Sequence, residues 1–129
     1  MVINLTTKVI FIYAIISNHP VDIKILESAG LTSSEARIYL MVLKSGPSLA
    51  GRITRETGIH RRSVYDSLER LMEKGLVSQI KTNNRRYFQA ENPQRISDIL
   101  QEKQKSVESA MPELQAMKGI AADERETSF

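Results

Sequence analysis

The sequence predicts a mainly α-helical protein with a small β-hairpin, and three observations lead to this prediction. Amphipathic helical segments between residues 23 and 75 each end at a glycine. Two strand-like segments then flank Asn83-Asn84, and asparagine tolerates the positive φ that a two-residue hairpin turn requires. A long segment with apolar residues at alternating spacings of four and three follows the hairpin.

The composition excludes several classes of protein. Of 129 residues, 41% are hydrophobic and 26% are charged, which is too apolar for wholesale disorder. The absence of cysteine excludes a disulfide scaffold and thiol catalysis, and with two isolated histidines we expect no metal site and no cofactor. No apolar run approaches the ~20 residues of a membrane span, so we expect no membrane partner and a cytoplasmic location.

The net charge of +3 is unevenly distributed along the chain. Residues 1–51 carry +1, residues 52–90 carry +5 and residues 91–129 carry −3. A concentrated basic block favours a polyanionic partner. From charge alone, a solvated basic face is an equally good interpretation.

Residues 1–22 form an N-terminal apolar extension to which the sequence assigns no role. Its apolar run, 9–16, fits a strand by its β-branched residues and a helix by its spacing. In either form we expect it to be buried, against its own domain or against a partner chain.

The segment 23–91 begins with helices that are separated by capping residues. A short helix is predicted over 23–28, and a second helix follows Thr32 and ends at Gly46. Thr32 and Glu35 have the spacing of a capping box, in which each side chain accepts a hydrogen bond from an unpaired backbone N–H group.

A helix-turn-helix with a wing is predicted next. Ser48 is expected to cap a short helix that ends at Gly58, and a third helix runs over about 61–74. Strands over 76–81 and 86–90 then form a ribbon. A short helix joined through a glycine turn to a second helix is the helix-turn-helix arrangement, whose second helix fits the DNA major groove.

A long C-terminal helix is predicted over 92–118, and we expect it to be a coiled-coil-like dimerisation helix. Asn92-Pro93 predicts an N-cap and a proline at the first helical position. Pro112 is expected to kink or split the helix, and 119–129 is expected to be a flexible tail. The residues expected to pair two copies are Ile96, Leu100, Val107, Leu114 and Met117.

Two adjacent arginines begin the helix over 61–74. Cations at this position oppose the helix dipole, so we predict that Arg61 and Arg62 contact bases or phosphates. A solvated charged face is the alternative, and Asp66 is expected to pair with Arg62 or Arg70. The residues expected to contact DNA are Arg52 and Arg55, through phosphates, His60, Arg61, Arg62, Ser63 and Ser67 on the recognition helix, and Lys81, Arg85 and Arg86 on the wing.

These features predict a sequence-specific double-stranded DNA-binding transcriptional regulator that acts as a homodimer. The alternative is a winged-helix protein–protein interaction module of the transcription machinery with weak or no DNA binding. The sequence shows no nucleophile–base pair and no phosphate loop, and its clustered carboxylates are typical of surface ion pairs, so we do not expect an enzyme. Binding to random duplex at low salt distinguishes the first two hypotheses.

Two motifs resemble the TrmB-type archaeal transcriptional regulators. They are Gly-Leu-Thr-x-x-Glu at 30–35 and Val-Tyr-x-x-Leu-x-x-Leu-x-x-x-Gly-Leu-Val at 64–77, and the similarity covers about 23–118. The resemblance implies a winged helix-turn-helix that binds operator DNA as a homodimer, with the helix after the wing pairing the subunits. It places Arg61, Arg62, Ser63 and Ser67 on the recognition helix, and Arg85 and Arg86 on the wing.

The resemblance has limits at two points. Larger members of the family add a C-terminal sugar-binding domain, for which we expect this chain to be too short, so sugar sensing is not carried over and the effector stays open. Gly51, in the first helix of the motif, departs from the family pattern and costs about 1 kcal/mol relative to alanine.

Overall fold

The computed structural model describes residues 6, 8, 9 and 22–127 of the chain. The prediction for the apolar extension lies almost entirely outside these residues. The elements in chain order are α1 (Ile23–Ser28), α2 (Ser33–Ser45), α3 (Ala50–Thr57), α4 (Arg61–Glu73), β1 (Val77–Thr82), β2 (Arg85–Ala90) and α5 (Gln94–Thr127). The mainly helical fold with one hairpin is confirmed.

The core forms where α2 packs against α3 and α4. Apolar residues recur at helical spacing on each element, so each buries one stripe and leaves the other side to solvent. The side chains at the centre of this core are Ile38, Tyr39 and Val42 of α2, Ile53 of α3, Val64, Leu68 and Leu71 of α4, and Leu76 and Phe88 of the segments that follow.

The capping box at the start of α2 is confirmed in one half. The Thr32 hydroxyl accepts a hydrogen bond from the Glu35 backbone N–H at 3.1 Å. The other half is wrong, because the Glu35 side chain turns inward and binds Arg70 and Lys74 of α4. Two cations outweigh one backbone N–H group as partners for a buried carboxylate.

Ser48 does not cap α3. The N-cap is Leu49, which makes no side-chain capping bond, and Ser48 instead pairs with Phe88 of β2 through backbone hydrogen bonds of 2.9 and 2.8 Å. The edge of β2 offers unpaired backbone groups, and two backbone bonds satisfy more of them than one serine cap would. This bridge ties the base of the hairpin to the helical core.

The hairpin itself matches the prediction. Asn83 and Asn84 have φ values of 52° and 61°, the pair of positive values that a type I′ turn requires. Antiparallel pairing runs from Thr82 opposite Arg85 to Val77 opposite Ala90.

The long helix α5 begins as predicted and extends further than predicted. The Asn92 side chain accepts a hydrogen bond from the Gln94 backbone N–H at 2.9 Å, which confirms its capping role. Pro112 lies inside one continuous helix that runs to Thr127, so the predicted split and the predicted helix end at 118 are wrong. Proline frees the carbonyl of Glu108, but this part of α5 is exposed and water can donate to that carbonyl.

Candidate nucleic-acid interface

The turn between α3 and α4 places the start of α4 at the surface. Gly58 adopts a left-handed conformation with φ of 70° and ends α3, and buried Ile59 anchors the turn. His60 is the N-cap of α4, and its Nδ1 accepts a hydrogen bond from the Arg62 backbone N–H at 3.2 Å. In the neutral imidazole the proton therefore lies on Nε2, which leaves an exposed donor at the tip of the helix.

The first turn of α4 presents cations to solvent. Arg61, Arg62 and Ser63 are exposed, while Val64 faces the core. The Arg61 guanidinium lies over the Tyr65 ring, 5.8 Å from its centroid, in a cation–π contact that orients the side chain without neutralising it. Within the described part of the chain, neither arginine has an ion-pair partner.

The wing adds further cations beside this turn. Lys81, Arg85 and Arg86 are all exposed, and no described carboxylate pairs with them. Tyr65 of α4 and Arg85 and Arg86 of the wing line one groove, together with the start of α3 at Gly51. Because Arg61 lies over Tyr65, Tyr65 links this arginine to the groove of the wing arginines. We call the exposed cations of the helix start and the wing the cationic face: His60, Arg61, Arg62, Lys81, Arg85 and Arg86.

The two arginines of α3 differ in their surroundings. Arg52 pairs with Glu56 one turn later at 2.9 Å, and both side chains are exposed. Arg55 is exposed and has no carboxylate partner among the described residues. Arg55 is thus the freer of the two for a phosphate contact.

The outward placement of Ser67 is wrong. Ser67 is fully buried, and its hydroxyl accepts a hydrogen bond from Arg70 Nη2 at 3.3 Å. Arg70 reaches the Glu35 carboxylate at 3.1 Å and makes no pair with Asp66. Ser67 therefore cannot touch DNA directly. The helical spacing of α4 could not predict this burial, because it depends on the contact of Arg70 and Lys74 with Glu35 of α2.

Glu35 is the buried centre of an ion cluster between α2 and α4. Burial raises the pKa of its carboxyl, but hydrogen bonds from Lys74 and Arg70 outweigh this and hold the pKa below its ordinary value. The ionised carboxylate is therefore the stable form, and it holds α4 to α2 from behind the cationic face.

The predicted pairing residues of α5 fall into two groups. Ile96 is partly buried against its own core. Leu100, Val107, Leu114 and Met117 are 44–56% exposed, and Met111 and Ile120 are exposed beside them. All described side chains over 101–124 are exposed, so α5 presents an apolar stripe that nothing in the described chain covers.

The described residues contain neither a metal-site cluster nor a membrane-spanning helix. No group of three or more His, Cys, Asp or Glu side chains there could hold a metal ion. No helix in that part of the chain has both the length and the apolar character needed to cross a membrane.

Comparison with known proteins gives a family match over the domain just described. The family model "Sugar-specific transcriptional regulator TrmB" matches residues 26–94. The chain is 38% identical over 77 residues to the HTH-type sugar sensing transcriptional regulator TrmBL1 of Pyrococcus furiosus. The match covers 60% of this chain and 22% of that relative, so the chain spans about a fifth of the relative's length.

Solved structures share the fold. The structure of TrmBL2, described as an archaeal chromatin protein, matches 81% of this chain and 40% of its own with a TM-score of 0.63 and 20% identity. A possible transcriptional regulator from Methanosarcina mazei matches 71% of this chain and 83% of its own, with a TM-score of 0.56 and 17% identity. With the family model covering more than half of its residues, the chain belongs to the TrmB family of winged-helix transcriptional regulators.

Proposed function

We propose that this regulator binds double-stranded DNA in a sequence-specific manner and acts as a homodimer. The observation that carries the proposal is the cationic face. Arg61 lies over Tyr65, Tyr65 shares one groove with Arg85 and Arg86, and these exposed arginines have no described carboxylate partners. Arg61 and Arg62 lie at a helix start, where the helix dipole makes positive charge unfavourable. An anionic ligand bound there would offset this cost.

Each part of the cationic face suits a different contact. The N-terminal turn of a recognition helix offers its side chains to base edges in the major groove, where the arginine fork matches guanine O6 and N7. The wing cations and Arg55 suit phosphates, which position the protein without reading the sequence. Arg61 and Arg62 are therefore the proposed source of base discrimination.

The apolar stripe of α5 supports the homodimer. Exposed apolar residues recur along the helix from Leu100 to Ile120, a stretch of about 30 Å at 1.5 Å per residue. A second copy of the same helix would bury this stripe, and a two-fold dimer would present two cationic faces to one duplex. The expected distance between half-site centres is then ~34 Å, or a multiple of it.

Selection of bound duplexes from a random pool, combined with the solution mass of the protein and its complexes, tests the proposal. We expect a dimer and enrichment of paired half-sites. Arg61→Ala or Arg62→Ala should weaken binding by ~1–3 kcal/mol and relax the base preference. Lys24→Ala removes an equal charge from outside the cationic face and should change neither property.

Two outcomes would contradict the proposal. Absence of duplex binding at low salt would favour an interaction module that docks on proteins. If Arg61→Ala and Arg62→Ala each lose the same affinity for every DNA sequence, both arginines contact phosphates and do not discriminate between bases.

A further inference from the structure

One side chain of α5 covers the end of the recognition helix α4. Arg95 Nε donates a hydrogen bond to the carbonyl of Lys74, the C-cap of α4, at 3.0 Å. A Cβ atom at the neighbouring Gly75 would lie 3.0 Å from Arg95 Nε and 3.7 Å from its Cδ. The arginine stem is thus packed directly on the glycine that ends α4.

The same side chain is also held from its own helix. Arg95 Nη1 pairs with the Glu102 carboxylate, two turns further along α5, at 2.9 Å. The guanidinium is a rigid planar fork, so the bond to Glu102 within α5 orients the same group that reaches across to the Lys74 carbonyl at the end of α4. We call Arg95, Lys74, Gly75 and Glu102 the junction.

Few other side chains attach α5 to the domain. Ile96 and Ile99 pack in part against the core, and the Lys103 side chain lies against Gly30, which follows α1. All described side chains from 101 to 124 are exposed. An angular change at the start of such a helix is amplified along its length. A tilt of about 10° moves a point 20 residues along the helix, ~30 Å at 1.5 Å per residue, by roughly 5 Å.

We propose that Arg95 is a positioning residue that sets the angle between recognition helix and dimerisation helix, and thereby the half-site spacing that the dimer accepts. This inference rests on the proposed function, because a spacing is defined only for a dimer on DNA. Ten base pairs span ~34 Å, so the displacement calculated above exceeds one base-pair step. The junction therefore determines which register of the duplex both recognition helices can reach together.

The test uses the full chain and duplexes that carry two copies of the selected half-site, separated in steps of one base pair. The unmodified protein should lose about tenfold in affinity for each step away from its best spacing. Arg95→Ala should bind neighbouring spacings within about threefold of one another, with unchanged affinity for a single half-site. The same spacing profile in both proteins would overturn the inference.

Two variants act as references. Glu102→Ala breaks only the outer bond of the junction and should broaden the spacing profile in the same direction, to a smaller extent. Lys105→Ala removes an exposed cation from the same helix without touching the junction, and its profile should match that of the unmodified protein. A broadened profile in Lys105→Ala would indicate a charge effect and would also overturn the inference.

A measurement without DNA separates this inference from the proposed function. The chain contains no cysteine, so spin labels at Glu69→Cys and Gln115→Cys report the distance between α4 and α5. With an excess of unlabelled chain, the distribution should be narrow with Arg95 present and broad after Arg95→Ala. Equal widths would overturn the inference even if the protein binds paired half-sites, whereas failure to select paired half-sites would count against the proposed function alone.

Discussion

At the scale of single residues, Glu35 connects the stability of the domain to pH. Its carboxylate is buried against α4, and the bonds from Lys74 and Arg70 lower its pKa in the folded chain. A carboxyl whose pKa is lowered by folding stabilises the fold above its ordinary pKa, and this contribution is lost as the pH falls through the folded value.

Glu35→Gln tests this contribution. The variant should lose about 1–3 kcal/mol of unfolding free energy at neutral pH, because Arg70 and Lys74 lose a charged partner but can still reach solvent. The difference from the unmodified protein should shrink as the pH drops below the ordinary carboxyl value of 4.5. Urea unfolding at a series of pH values measures this difference, and Glu27→Gln, at an exposed position of α1, serves as the control. A pH-independent difference would contradict the assignment.

Gly51 within α3 and Gly58 at its C-cap form a matched pair. A Cβ atom would meet nothing within 4 Å at either position, but only Gly58 has a positive φ, of 70°. Gly51→Ala should therefore stabilise the protein by about 0.5–1 kcal/mol, whereas Gly58→Ala should destabilise it by about 1–2 kcal/mol through the left-handed backbone. Thermal unfolding measures both, and destabilisation by Gly51→Ala would show that α3 requires the glycine for another reason.

At the scale of elements, α5 is a long helix that continues through a proline. Its exposed central part lacks the tertiary packing from which protein helices take most of their stability. Pro112 adds a local cost, since it removes one backbone hydrogen bond. The helix should therefore be least protected near this residue.

Pro112→Ala tests this expectation. The substitution should stabilise the surrounding turns by up to about 3 kcal/mol, measured by slower amide hydrogen exchange. Gly119→Ala, where a new Cβ has open space, should yield a smaller gain of about 1 kcal/mol further along the same helix. Equal exchange rates before and after Pro112→Ala would contradict a cost at the proline.

At the scale of the whole molecule, the cationic face predicts a strong dependence of binding on salt. If about six phosphates are neutralised for each bound species, the logarithm of the association constant falls with the logarithm of salt concentration at a slope near −5. Replacing both Arg85 and Arg86 by alanine should make this slope less negative by about two, because two phosphate contacts are lost. Fluorescence anisotropy at several salt concentrations measures it, with Lys24→Ala as the control, and affinity independent of salt would contradict the proposed contacts.

The elements of this molecule were predictable where a local rule decides the structure. Apolar spacing, the Asn83-Asn84 turn and the Asn92 cap each depend on residues close together in the chain. The predictions that were wrong failed because of tertiary contacts. The Glu35 carboxylate binds Arg70 and Lys74 of α4 where a capping bond was predicted, and Ser48 pairs with Phe88 of β2 where a helix cap was predicted. The exposed arginines of the candidate site followed from the helical spacing of α4, but the burial of Ser67 required knowledge of the opposite helix.

The backbone bridge between Ser48 and Phe88 has a mechanical consequence for the hairpin. The bridge fixes the base of the hairpin to the helical core. The exposed tip around Asn83 and Asn84 lies beyond this point of attachment. Bending is therefore concentrated in the few residues that carry Lys81, Arg85 and Arg86. In the proposed complex with DNA, the tip would follow local variation in groove width while the base of the hairpin keeps its orientation toward α4.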